Sequence, residues 1–301
     1  MWNGMMPAVT TKFTADGEID KAEMERCVGL QMDAGNAGIV VCGTLGEGSM
    51  LSPDERIEVL KIAKSVCGDK PVLLTISEAG TREACELAQK GNKAGADGLM
   101  IVPSPIYHTD RDEAIANLKT ISAAGDLPVM IYSNRVAYRV DITPEMMLEL
   151  AEDDRMVAIK ESSDDIRRLT EIVNTCGDRY KILTGVDNLG LEALLMGADG
   201  WVSGVSIAFP EENQRIYDLV QEGRIKEARE IYRWLRPLLD LDVSTALVQQ
   251  IKLAEAIAIG STEHVRAPRQ ILKGEHRVHV EKVIRDQIAC RPDLSKYKLN
   301  A

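Results

Sequence analysis

Short apolar runs recur along the chain, separated by longer amphipathic segments. They are MMPAV (5–9), GIVVC (38–42), PVLLT (71–75), GLMIV (98–102), PVMIY (128–132), MVAIK (156–160), YKILT (180–184) and GWVSG (200–204). Runs this brief and nearly continuous in apolar residues suit strands buried on both faces. Their alternation with helix-length segments predicts a parallel sheet of βα units. The junctions before the strands repeat as well. AGNAG (34–38), AGADG (94–98) and GADG (197–200) place glycine where a helix ends and the chain turns into a strand, a position that needs positive φ. GDKP (68–71), GDLP (125–128) and GDR (177–179) read as the same junction in other residues. Gly35 and Gly95 lie sixty residues apart, or about thirty per βα unit. Eight such units end near residue 224. Eight equal parallel strands predict an α/β fold, a closed (β/α)8 TIM barrel, over the alternative of an open doubly wound sheet. The rest has no strand-like run, and 224–241, 244–260 and 275–290 have helical periodicity. The expected organisation is a barrel over 1–224 with a C-terminal helical extension, 225–301, packed on it.

Composition narrows the function classes. At 301 residues and 45% hydrophobic, the chain can fill a large single core. A net charge of −11 argues against a nucleic-acid or anionic-membrane partner, since phosphate binding needs clustered Lys and Arg. No apolar run reaches membrane-spanning length, and MWNGMMPAVTTKF lacks the basic and apolar regions of a signal peptide. The six cysteines, Cys27, Cys42, Cys67, Cys85, Cys176 and Cys290, form no CxxC pair and read as reduced thiols of a cytoplasmic protein. Histidines occur only at 108, 264, 276 and 279. HRVH (276–279) has the look of a metal pair but fits a solvated helix better, so no metal is expected.

Barrels of this kind carry chemistry at the C-terminal ends of their strands. That rule selects GTLGEG (43–48), PSPIYH (103–108), Tyr132-Ser133-Asn134, Lys160-Glu161-Ser162 and Gly185-Val186-Asp187. Lys160 ends an apolar strand, so its amine would point into the barrel mouth. Desolvation there lowers a lysine pKa and frees the amine to attack a carbonyl. The alternative is a lysine snorkelling to the rim or paired with Glu161. GTLGEG offers backbone N–H groups for a carboxylate or phosphate, or is simply a tight βα turn. It lacks both dinucleotide and phosphate-loop spacings, so no nucleotide cofactor is expected. Tyr132 and Tyr107 are phenols near strand ends, placed either for proton transfer or for packing.

Taken together, GTLGE (43–47), PIY (105–107), Tyr132, VAIKESS around Lys160 and GVD (185–187) resemble the dihydrodipicolinate synthase and N-acetylneuraminate lyase family, in order and spacing, over nearly the whole chain. The resemblance implies an enzyme without cofactor or metal, acting on a small 2-oxo acid or cyclic imine. Lys160 would form the Schiff base, and Tyr132 would shuttle protons and orient the substrate carboxylate. Thr44 and the amide of Leu45 would bind that carboxylate, Gly185 would be a further substrate-binding position, and the Val202 carbonyl would face the intermediate. Tyr107 would reach into a neighbouring subunit's site to meet Thr44 and Tyr132, in a homotetramer built as a dimer of dimers.

Three departures bear on the substrate. Leu45 stands where the family favours a second threonine, which breaks the usual Thr–Tyr relay. Ser133-Asn134-Arg135 replaces Asn-x-Pro. Ala137 occupies the place of the arginine with which dihydrodipicolinate synthases hold a second carboxylate, so that activity is disfavoured. No polar pattern for a sialic acid is evident. The stretches 132–147 and 46–55 look similar to the hydroxyproline-degrading branch, whose enzyme is Δ1-pyrroline-4-hydroxy-2-carboxylate deaminase. A 2-keto-3-deoxy sugar acid dehydratase, a 4-hydroxy-2-oxo acid aldolase and a non-catalytic 2-oxo acid binding protein are the alternatives.

Overall fold

The computed structural model describes residues 2–300. Eight parallel strands run in a single sheet: β1 (Gly4–Met5), β2 (Ile39–Val41), β3 (Val72–Ile76), β4 (Gly98–Ile101), β5 (Val129–Ser133), β6 (Met156–Glu161), β7 (Lys181–Thr184) and β8 (Gly200–Trp201). Each falls within or beside one of the eight apolar runs. The hydrogen-bonded order is β1-β8-β7-β6-β5-β4-β3-β2. The ring closes where Val9 N donates to Val40 O at 3.0 Å and Val40 N to Pro7 O at 2.9 Å. This is the closed (β/α)8 barrel; the open sheet is excluded.

Strand pleating divides the core in two. Val40, Leu73, Met100, Met130, Ala158 and Leu183 point into the barrel. Their neighbours Ile39, Val41, Leu74, Ile101, Ile131 and Ile159 pack outward against the helices. Tyr132 lies two residues beyond Met130, and Lys160 two beyond Ala158, so the same alternation turns both inward at the C-terminal rim.

The helices are α1 (Lys21–Asp33), α2 (Pro53–Cys67), α3 (Thr81–Lys93), α4 (Arg111–Gly125), α5 (Arg135–Tyr138), α6 (Pro144–Leu150), α7 (Arg167–Cys176), α8 (Gly190–Leu195), α9 (Pro210–Gln221), α10 (Ile225–Leu239), α11 (Leu247–Ile259) and α12 (Gly274–Ala289). Gly35, Gly95 and Gly197 have φ of 90°, 89° and 97°, as the repeated junctions require. The junction at 125–128 is built differently. Its left-handed residue is Asp126 (φ 48°), and Gly125 is helical, because a Cβ there would sit 2.5 Å from Leu99.

Helix α12 packs on both α10 and α11, and α10 packs on α9. Two buried ion pairs tie this extension to the barrel. Lys252 on α11 bonds Glu47 at 2.5 Å, and Glu255 meets Lys12 and Thr10. Glu47 also accepts the Arg266 amide at 3.1 Å. The Gly-rich turn after β2 is thereby fixed by residues from the far end of the chain. No helix among the described residues is long and apolar enough to cross a membrane. All six cysteines are free thiols.

Candidate active site

A cavity of about 460 Å³ opens at the C-terminal end of the barrel, and Lys160 and Tyr132 share its wall. The two are register partners on β6 and β5. The lysine Nζ sits 4.3 Å from the centre of the tyrosine ring. Lys160 is only 7% exposed. Burial lowers its pKa, partly opposed by Asp242, Tyr138 and Asp187. The alternative of a pair with Glu161 does not hold. Glu161 faces the other side of the strand and accepts the Ser163 amide at 2.8 Å. The neutral amine is thus favoured, aimed into a small closed space, and nucleophilic.

Gly185 explains how the lysine is held. A Cβ at this position would lie 2.4 Å from Lys160 Cε, 2.7 Å from its Cγ and 2.3 Å from Ser162 Oγ. Only glycine lets β7 pass this close. Next along the chain, Asp187 accepts Trp201 Nε1 at 2.9 Å, Gly204 N at 3.0 Å and Val205 N at 2.7 Å. That carboxylate is fully used in shaping the loop after β8.

Of the residues indicated by the sequence, Thr44, Leu45, Tyr132, Lys160, Gly185 and Val202 all line the cavity. The turn leaves the amides of Thr44 and Leu45 without a main-chain acceptor among the described residues. Tyr107 is elsewhere within its own chain. It is 61% exposed and donates to Glu113 at 3.2 Å. The sequence points to Tyr107 of another chain as the partner of Thr44; within this chain that place is filled by Tyr138. Its hydroxyl lies 2.6 Å from Thr44 Oγ1, and its ring stands edge-on to Tyr132 with centroids 5.6 Å apart.

Tyr138 gets there through the departure from Asn-x-Pro. Asn134 caps α5 by accepting the Ala137 amide at 2.8 Å, and its own amide group donates to the Tyr132 hydroxyl at 3.2 Å. The single turn of α5 carries Tyr138 back over the cavity and stops at Arg139, which is left-handed (φ 59°). Burial pushes the Tyr132 phenol up to about 12, so it is a neutral hydroxyl at ordinary pH.

Charge inside the cavity is one-sided. Among the described residues Lys160 is the only Lys or Arg that lines it, while Asp164 and Asp242 line the same space. Ala137 lines it at the arginine's place in the family pattern. Arg135 is turned out, donating to Ser163 O at 3.2 Å and lying near Asp141 and Asp165. Asn134 stands among the strand-end residues, but its capping role does not show there; Tyr138 and Asp242 escape a reading of strand ends, because each sits in a loop or short helix placed by tertiary packing. The replacement of Asn-x-Pro was the available signal for Tyr138.

Residues 1–287 match the model of the dihydrodipicolinate synthetase family. The 4-hydroxy-tetrahydrodipicolinate synthase of Pelobacter propionicus is 33% identical over 275 residues, covering 89% of this chain and 92% of the relative. The protein of the same name from Prosthecochloris aestuarii is 32% identical over 281 residues, 91% and 93% of the two chains. Among solved structures, the 4-hydroxy-tetrahydrodipicolinate synthase of Methylacidiphilum fumariolicum superposes with a TM-score of 0.91 at 28% identity, covering 99% of this chain and 98% of that one. YagE of E. coli K12, a prophage protein of the family solved with pyruvate, gives 0.90 at 26%, covering 96% and 100%. With the barrel, the extension and the site lysine in place, the chain belongs to the dihydrodipicolinate synthetase family of Schiff-base lyases.

Proposed function

We propose that the protein deaminates Δ1-pyrroline-4-hydroxy-2-carboxylate to 2,5-dioxopentanoate and ammonia, with Lys160 as the covalent residue. The observation that carries this reading is the charge of the cavity, which holds one lysine, two carboxylates and no guanidinium. A synthase acting on aspartate semialdehyde must hold a distal carboxylate. Left unpaired in a desolvated site, that group costs about 2–5 kcal/mol, a loss of roughly thirtyfold to several thousandfold. The Asp164 carboxylate would add repulsion. The ring-opened form of the proposed substrate instead carries an amine at that end, which this carboxylate suits.

The chemistry follows from the residues in hand. Thr44 and the Leu45 amide hold the substrate carboxylate, with the Val202 carbonyl facing the reacting carbon. The neutral Lys160 amine adds to carbon 2 of the protonated ring imine. A proton passes from the lysine nitrogen to the ring nitrogen, the bond from carbon 2 to the ring nitrogen breaks, and the open-chain Schiff base remains. Tyr132, joined to Asn134 and standing against Tyr138, relays the proton then lost from carbon 3. The resulting enamine expels the 4-hydroxyl as water. Tautomerisation toward carbon 5 gives an imine there. Hydrolysis at carbons 5 and 2 releases ammonia and the dioxo acid and frees the lysine, for a net uptake of one water. Leu45 removes the family's second threonine, and the Thr44–Tyr138 pair restores a hydroxyl chain to the same wall within one subunit.

The second reading is the synthase itself, favoured by the names of relatives near 30% identity. Comparing kcat/KM for ammonia release from pyrroline-4-hydroxy-2-carboxylate with that for condensation of pyruvate and aspartate semialdehyde separates the two. The deaminase is expected to lead by at least tenfold, and the reverse order sinks it. Keto-deoxy sugar acids and pyruvate with simple aldehydes belong in the same panel, because the same lysine chemistry would dehydrate or cleave them.

A further inference from the structure

Asp242 lies between α10 and α11, where the C-terminal extension meets the barrel mouth. It lines the cavity that holds Lys160, and its Oδ1 is 2.6 Å from where a Cβ on Gly204 would stand. Glycine at 204 is what lets the carboxylate reach in beside β8. Unlike Asp187, with its three N–H donors, the Asp242 carboxylate has no hydrogen bond or ion pair with any other described residue. A carboxyl group placed in a reaction cavity with its valences unspent is a group waiting for substrate.

The titratable groups lining the same space are Lys160 on β6, Tyr132 on β5, Tyr138 on α5 and Asp164 in the loop after β6. Asp187, after β7, also acts on it. Burial, reinforced by Asp187, pushes Asp242 well above the usual carboxylate range, while Lys160 pulls it down. Once Lys160 is consumed in a Schiff base and the substrate has displaced water, the protonated acid remains available as a donor.

We propose that Asp242 is the general acid of the elimination, donating its proton to the 4-hydroxyl oxygen as the bond from carbon 4 to oxygen breaks. This rests on the deaminase reading. The enamine nitrogen's lone pair re-forms the double bond to carbon 2, and the π pair between carbons 2 and 3 moves to make the second bond between carbons 3 and 4. The pair of the breaking bond leaves on oxygen, which takes the Asp242 proton and departs as water. The carboxylate left behind then removes a proton from carbon 5, now acidified by conjugation to the iminium. That gives the dienamine and regenerates the acid, so no oxidant or further reactant is needed.

The test uses Asp242→Asn, which keeps the shape and removes the titration. Ammonia release from pyrroline-4-hydroxy-2-carboxylate should fall about 10²- to 10⁴-fold, the range for loss of a general acid. Borohydride trapping of pyruvate on Lys160 involves no elimination and, measured above the pH midpoint of Lys160 in both proteins, should stay within threefold of wild type. The alkaline limb of kcat, where the acid loses its proton, should vanish in the variant. Ammonia release within fivefold of wild type overturns the acid role and leaves the deaminase reading standing. Parallel loss of trapping and turnover also overturns it, since Asp242 would then merely shape the site. If wild type itself releases no ammonia, the deaminase reading fails and the acid role with it.

Discussion

Gly185→Ala is a direct probe of how the site is held, because the added methyl has nowhere to go. Carbon atoms in contact rest about 3.5–4.0 Å apart, whereas the new Cβ would be 2.4 Å from Lys160 Cε and 2.7 Å from Cγ. The deficit is about 1 Å along the very stem that carries the nucleophile. Ser162 Oγ lies 2.3 Å from the same point, so the methyl meets a second side chain as well. A misplacement of about 1 Å at a reacting group costs about a hundredfold in rate, or about 2.7 kcal/mol of barrier. Overpacking of this size costs about 1–3 kcal/mol of stability, which a barrel of this size should survive. The assay is the rate at which borohydride captures pyruvate on the protein, with Tm measured alongside. We expect capture to slow about a hundredfold with the fold retained. Capture within threefold of wild type, in a folded variant, would refute the claim that Gly185 sets the position of Lys160.

Three further outcomes follow from other contacts. Tyr138→Phe should lower kcat about a hundredfold while leaving Schiff-base formation largely intact; Thr44→Val should lower kcat as much and also raise KM, because Thr44 holds the substrate carboxylate, and the kcat of the double variant should be no lower than that of the worse single one, because both cut one hydrogen bond. Lys252→Met leaves the fully buried Glu47 with only the more distant Arg269 guanidinium, at 3.7 Å, so urea unfolding should show a loss of up to about 3–5 kcal/mol. The pH dependence has a definite sign: burial lowers the Lys160 pKa below the ordinary lysine value, so Schiff-base formation should rise with pH through a midpoint below that value. In Asp242→Asn the midpoint should move lower still, since the carboxylate that favours the ammonium is gone.

Much of the barrel is legible in the sequence because its signal is local. A strand buried on both faces must be apolar along its length, and its period of two then aims every second side chain inward. That rule turns Tyr132 and Lys160 into the mouth without reference to any neighbour. The junction glycines are equally local, being demanded by positive φ at Gly35, Gly95 and Gly197. The exception at 125–128 shows where local reading stops. There glycine serves the packing of Leu99, and Asp126 takes the left-handed turn. Tyr138 and Asp242 were illegible for the same reason. The first depends on the Asn134 cap and on one turn of helix ending at Arg139. The second arrives from the C-terminal extension, whose docking rests on Lys252–Glu47 and Lys12–Glu255. Glu47 itself reads in the sequence as part of a Gly-rich turn, and only the fold reveals its buried partner.

Trapping during turnover tests the central claim most directly. Borohydride added to the enzyme with pyrroline-4-hydroxy-2-carboxylate should reduce the intermediate onto one lysine, and peptide mass spectrometry should find the adduct on the peptide containing Lys160. Lys160→Ala should abolish both the adduct and ammonia release. An adduct on another residue, or ammonia release from Lys160→Ala at an undiminished rate, would contradict the account.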